Sequence, residues 1–150
     1  MQTFCERLKT RLYPRVYRRE ARKPDSCCLL LVQRHLLVSR YALAVYEWES
    51  AHDGPTQLRV VRREVAKALW AVPVLAEVGL YLIFCGPHQE WVTQVTSMPA
   101  DKTGLHRIIV QAVHCLDLQT GEQALNQSAW GPIRFGGVDS VAAVIDAILT

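Results

Sequence analysis

Apolar positions recur along the chain in two spacings, and the switches between them mark the elements. Phe4, Leu8 and Leu12 lie four apart, the stripe of a short amphipathic helix over residues 2–12. Pro14 ends it, because the residue before a proline is biased away from helical dihedrals. Residues 15–26 are polar and basic and close on Lys23-Pro24-Asp25-Ser26, a turn signal. Cys28-Leu29-Leu30-Leu31-Val32 is a continuous apolar run, and Val38, Tyr41, Val45, Tyr46 and Trp48 are strand formers. This stretch reads as two strands, about 27–33 and 36–48, reversing near Arg34-His35; one helix over residues 27–46 fits the leucines too.

Ser50 to Pro55 reads as a loop, with Thr56 as the N-cap of a helix over about 57–71 that Pro73 ends. Leu58, Val61, Val65, Ala68 and Leu69 form its apolar face, and Arg59, Arg62, Arg63, Glu64 and Lys67 fill the other. Leu80–Cys85 is a buried strand, Gly86-Pro87-His88 a turn, and Trp91–Thr96 a strand pairing back. Residues 98–104 are a loop. Arg107–Leu118 is the best strand, and Gln119–Glu122 is a hairpin turn with a return through about 123–128. Residues 130–137 form a stiff loop or short edge strand, and a last helix covers about 139–149.

The resulting order is α-β-β-α-β-β-β-β-α. Short turns between strands imply antiparallel pairing. The expected fold is therefore α+β, an antiparallel sheet of about five to six strands flanked by three helices. Residues 1–26 are a basic N-terminal arm or helix, and residues 27–150 a single α+β domain.

Half of the 150 residues are hydrophobic and 21% are charged, a balance that builds a core without disulfides or a structural metal. The longest apolar runs, Leu29–Val32, Leu80–Cys85 and Val141–Ile145, are far short of a membrane span. No secretory signal follows Arg7, Lys9 and Arg11. The five cysteines, Cys5, Cys27, Cys28, Cys85 and Cys115, are odd in number and irregular in spacing. Reduced thiols in a soluble cytoplasmic protein are the expectation.

Charge changes this picture. Residues 1–23 hold eight basic and two acidic residues, whereas the remaining 127 hold nine basic and twelve acidic ones. A basic arm thus precedes a mildly acidic body. Arginines interleaved with Phe4, Tyr13 and Tyr17 suit RNA or single-stranded DNA, with guanidinium on phosphate and ring on base. The same arginines also fit the solvated face of a helix resting on the core.

Candidate chemistry is sparse. Cys85-Gly86-Pro87-His88 follows a strand, like a thioredoxin-type loop in which histidine stands in place of the second cysteine. His114-Cys115 would complete a four-ligand set with Cys85 and His88, but neighbours on a strand point to opposite faces. Glu47 and Glu49, near His52 and Asp53, form an acidic strand end with the ligands of a divalent cation or a solvated face. Trp130, Arg134 and Phe135 sit in a Gly-Pro-stiffened loop and are residue types enriched in partner contacts.

No metal site, cofactor or catalytic set is expected from these residues. The expected function is that of a non-enzymatic accessory or regulatory binding protein. It would contact nucleic acid or a nucleoprotein complex through Arg15, Arg18, Arg19, Arg22 and Lys23, helped by Arg59, Arg62 and Arg63. The alternatives are a protein–protein interaction module, dimeric or adaptor-like, and a small thiol-dependent enzyme using Cys85.

Overall fold

A computed structural model describes residues 1–12, 24–35, 39–49, 53–69, 77–87, 101–103, 106–127, 134–135 and 139–150. Helix α1 (Gln2–Leu12) leads into strands β1 (Cys27–His35) and β2 (Ser39–Glu47). Helix α2 (Gly54–Ala68) and strand β3 (Glu77–Cys85) follow, then β4 (Asp101–Thr103), β5 (His106–Leu116) and β6 (Gln123–Gln127). A short pair, β7 (Arg134–Phe135) and β8 (Asp139–Ser140), precedes helix α3 (Val141–Leu149).

Residues 27–35 and 39–47 are therefore two strands and not one helix. The reversal expected near Arg34-His35 falls just after it, since β1 runs through His35 and pairs it with Ser39.

The sheet is mixed, which corrects the antiparallel expectation. Its order is β1-β2-β3-β5-β4, with β6 also pairing β5. β1 runs antiparallel to β2, but β2–β3 and β3–β5 are parallel. The reason is the connection. α2 carries the chain from the end of β2 back to the start of β3, and a helical crossover restores strand direction where a tight turn reverses it. Parallel strands covered on both faces read as unbroken apolar runs, and Val78 and Leu80–Cys85 are all buried. β4 and β6 share one edge of β5: β4 pairs its first residues, and β6 pairs Ala112–Leu116.

Two apolar layers sandwich the sheet. On one face α2 lays Leu58, Val61, Val65 and Leu69 over Ala42, Ala44, Leu80, Leu82, Val110 and Val113. On the other, α1 and α3 bring Phe4, Leu8, Leu12, Val141 and Ile145 onto Leu43, Val45, Tyr81, Ile83 and Leu116. The alternation along β2 and β3 assigns each residue to its layer. Pairing with β3 steps from Leu80–Val110 to Tyr81–Ala112, so Gln111 is an extra residue in β5. Gly79 makes room for it, since a Cβ there would lie 2.7 Å from the Gln111 amide and 2.9 Å from the Tyr41 ring.

Local chemistry moves three boundaries. α2 begins at Gly54 because Asp53, not Thr56, is its cap: Thr56 N–H donates to Asp53 Oδ1 at 2.7 Å. Pro55 occupies the first turn, where its missing N–H costs nothing. α3 begins at Val141, capped by Ser140 Oγ, which accepts from Ala143 N–H at 3.2 Å. Asp101–Thr103, expected as loop, forms β4. It has no apolar alternation, and its pairing rests on backbone bonds to β5. The strand expected at Trp91–Thr96 lies outside the described residues. No helix among the described residues is long and apolar enough to cross a membrane.

Candidate functional site

The basic residues fall into separate groups. Arg59 and Arg63 are exposed one helical turn apart on α2, and Lys67 continues the same row. At 1.5 Å rise per residue the row spans about 12 Å, with a cation roughly every 6 Å. Exposed Val60, at 48% of its full accessibility, lies beside it. Lys67 joins this surface as a third cation that the sequence did not single out; its four-residue spacing from Arg63 was the available signal.

Arg62 leaves that surface. It is only 2% exposed and donates from Nη2 to the Ile108 carbonyl at 3.0 Å. It therefore ties α2 to β5 and cannot meet a phosphate alongside Arg59 and Arg63. Arg15, Arg18, Arg19, Arg22, Lys23 and Trp130 lie outside the described residues. Arg134 and Phe135 form β7, with backbone partners Ser140 and Asp139.

Parallel strands present their carboxyl ends together, which is where open α/β sheets hold ligands. Here Glu47 ends β2, Cys85 ends β3 and Leu116 ends β5, and these positions are register partners. Two backbone bonds extend the ladder beyond the strands, Trp48 N–H to Cys85 O at 3.0 Å and Gly86 N–H to Leu116 O at 2.8 Å. A cleft of about 380 Å³ opens there between Glu47, Trp48, Gly86, Pro87, Asp117 and Gln119. A Cβ on Gly86 would lie 2.5 Å from Trp48 Cβ, so glycine lets the tryptophan lie against the turn. Asp117 Oδ1 accepts from the backbone N–H of Gln119 (2.8 Å) and Thr120 (3.2 Å), and these bonds lower its pKa.

The fold thus brings two sequence candidates, Glu47-Trp48-Glu49 and Cys85-Gly86-Pro87, to one rim. A smaller cleft, about 90 Å³, lies on the α2 side of that rim between Ser26, Tyr46, Glu49, Gln57, Glu64 and Phe84. Ser26 Oγ donates to Glu64 Oε2 at 2.5 Å, and Gln57 Nε2 donates to the Glu49 carbonyl. Among the described residues no group of three or more His, Cys, Asp or Glu is arranged to hold a metal ion. Asp53, one member of the acidic group, is turned into the helix cap.

The buried thiols Cys5, Cys27, Cys85 and Cys115 are not activated. Burial pushes Cys85 up to about 12, with Cys5 and Cys28 adding to the effect. Burial likewise holds Cys5 at about 11 and Cys115 at about 12. A nucleophilic cysteine needs the opposite shift. His88 lies outside the described residues. Cys115 packs in the α2 layer while Cys85 packs under α1 and α3, so the two thiols face opposite sides of the sheet.

His114 is buried in a chain of hydrogen bonds that no sequence motif announces. Gln123 Nε2 donates to Asp146 Oδ1 at 2.7 Å, which leaves Gln123 Oε1 to accept from His114 Nε2 at 2.9 Å. His114 Nδ1 then accepts from the Tyr81 hydroxyl at 3.0 Å. This fixes a neutral, Nε2-protonated imidazole, and burial lowers its pKa accordingly. The chain joins β3, β5, β6 and α3.

No protein-family profile, curated protein or solved structure compared with this chain matches it.

Proposed function

We propose that the chain is a non-enzymatic binding protein that contacts the phosphate backbone of nucleic acid, alone or within a nucleoprotein complex. The observation carrying this reading is the exposed row Arg59–Arg63–Lys67 on α2. Its spacing, about 6 Å per turn, lets successive cations meet successive phosphates of one strand. Arg15, Arg18, Arg19, Arg22 and Lys23 add five further cations within nine residues of sequence. Neutralising phosphates releases condensed counterions, so affinity falls steeply with salt and depends little on base sequence. The buried, protonated Cys85 thiol weighs against a thiol-dependent enzyme.

A mobility-shift titration with labelled single- and double-stranded nucleic acid at two salt concentrations tests the reading. The informative variant replaces Arg59, Arg63 and Lys67 with glutamine. Binding should weaken, and the salt slope should drop by about 0.7–0.9 for each phosphate no longer neutralised. Absence of any shift at low salt, or an unchanged slope in the variant, overturns it. A pull-down for protein partners of the Trp130–Phe135 segment is then the next step.

A further inference from the structure

Three of the five thiols gather in one apolar layer, carried there by three different elements. Cys5 on α1 and Cys85 at the end of β3 are each 6% exposed within the layer that α1 and α3 lay on the sheet, and Cys28 of β1 packs against the same layer. A bulge puts Cys28 there. The pairing of β1 with β2 steps from Cys27–Tyr46 to Leu29–Val45, so Cys28 is an extra residue in β1. Such a residue re-aims the side chains around it. Cys27 belongs to the α2 layer, where its Sγ donates to the Leu29 carbonyl at 3.0 Å, while Cys28 and Leu29 both lie on the α1 side.

The sulfurs on that side act on one another. Burial first, and then Cys28, push the Cys5 thiol up to about 11, and burial and then Cys5 push Cys85 up to about 12. α1 also rests directly on β1. Access distinguishes the two neighbours of Cys5. Cys28 is half-buried, whereas the other four thiols are buried. β2 separates β1 from β3, so Cys28 and Cys85 stand about two strand spacings apart, roughly 10 Å, which is too far for a direct bridge.

From this placement we infer that Cys5 and Cys28 form a reversible disulfide latch, closed by exchange with a low-molecular-weight disulfide, which fixes α1 to the edge strand β1. The Cys28 thiolate attacks one sulfur of the small disulfide and releases one equivalent of its thiol. Cys5 gives its proton to solvent, attacks the Cys28 sulfur of the mixed disulfide and releases the second equivalent. Two protein thiols are oxidised and one disulfide is reduced to two thiols. Burial of Cys5 makes the second step the slow one, since the thiolate is the attacking form. The ring of chain so closed contains Arg15, Arg18, Arg19, Arg22 and Lys23. Oxidation therefore turns the basic segment from a linear stretch into a covalent loop.

The reduced full chain, kept folded, is incubated with oxidised glutathione, quenched with N-ethylmaleimide and mapped by mass spectrometry after trypsin. One intramolecular bridge, Cys5 to Cys28, is expected, with the protein lighter by two hydrogens. Cys27→Ala should form it unchanged, which assigns the bridge to Cys28 and not to its neighbour. Cys5→Ala should stop at a glutathione adduct on Cys28, and Cys28→Ala should give neither adduct nor bridge. The bridge constrains the unfolded chain, so the oxidised native chain should melt about 5 °C or more above the reduced one, and dithiothreitol should reverse the shift. Cys28→Ala should melt at one temperature with or without oxidised glutathione. A bridge that includes Cys27, Cys85 or Cys115, a lasting Cys28 adduct in the native chain, or no reaction of the folded chain overturns the proposal. Mass and melting read the bridge without nucleic acid, so the outcome is independent of the nucleic-acid reading.

Discussion

His114 shows how a single residue acquires its chemistry from its surroundings. Burial holds it neutral in the folded chain, while the unfolded chain titrates near the ordinary histidine value of about 6.5. Below that value the unfolded state binds a proton that the folded state refuses, so stability falls as pH drops from about 6.5 toward the lowered folded pKa. Above about 6.5 this contribution does not change with pH. Urea unfolding of the native chain and of His114→Gln should therefore differ in shape. The variant should be less stable near neutrality by about 1–3 kcal/mol, because the buried bond to Tyr81 is gone. Over about pH 5–7 it should also lack this histidine's share of the slope. Parallel curves over that range would refute the assignment. The sequence offered only a histidine on a strand; its tautomer was set by Gln123 and Asp146, nine and thirty-two positions away. Arg62 teaches the same lesson in reverse. Its neighbours Arg59 and Arg63 made it look solvent-facing, but the turn of the helix aims it at the Ile108 carbonyl.

At the scale of elements, periodicity located the segments and side-chain chemistry set their ends. The stripe Phe4, Leu8, Leu12 is buried as expected, as are Leu58, Val61, Val65 and Leu69 on α2. The hairpin at residues 117–122 also forms where turn residues pointed. Gly121 adopts a φ of 76°, and its N–H donates to the Asp117 carbonyl at 2.9 Å. The start of α2 shifted because two adjacent polar residues compete for the cap, and Pro55 in the first turn favours Asp53. Asp53→Ala should lower stability by about 1 kcal/mol, seen as a lower urea midpoint with an unchanged m-value. Thr56→Ala should stay within about 0.5 kcal/mol. A larger loss at Thr56 than at Asp53 would reverse the assignment of the cap.

For the whole molecule, the position of α1 changes how the basic arm must be tested. Its Leu8 is 0% and Leu12 2% exposed, packed with α3 beneath the sheet. Burying a side chain of this size is worth about 1.5–3 kcal/mol, and three such side chains rival the usual total of about 5–15 kcal/mol. Deleting residues 1–12 should abolish the cooperative thermal transition seen by circular dichroism. Replacing Arg15, Arg18, Arg19, Arg22 and Lys23 with glutamine should leave it intact. A truncated chain that still melts cooperatively near the native midpoint would show that α1 is dispensable. Loss of nucleic-acid binding on truncation is thus uninformative, whereas loss on charge replacement is a direct test.

The sequence by itself located most of the segments and the uneven charge, because spacing, caps and turns act over a few residues; it left strand or helix open over residues 27–46 and gave no sign of β4. It determined that β3 is covered on both sides, since an unbroken apolar run fits no half-exposed strand. Only the tertiary structure decided that β2, β3 and β5 run parallel, because strand direction depends on where the connection between two strands lands. It also decided that Glu47, Cys85 and Leu116 end side by side, that Tyr46 and Glu64 face one cleft, and that Arg62 is buried. Each of these joins residues far apart in the chain, and no local period records it.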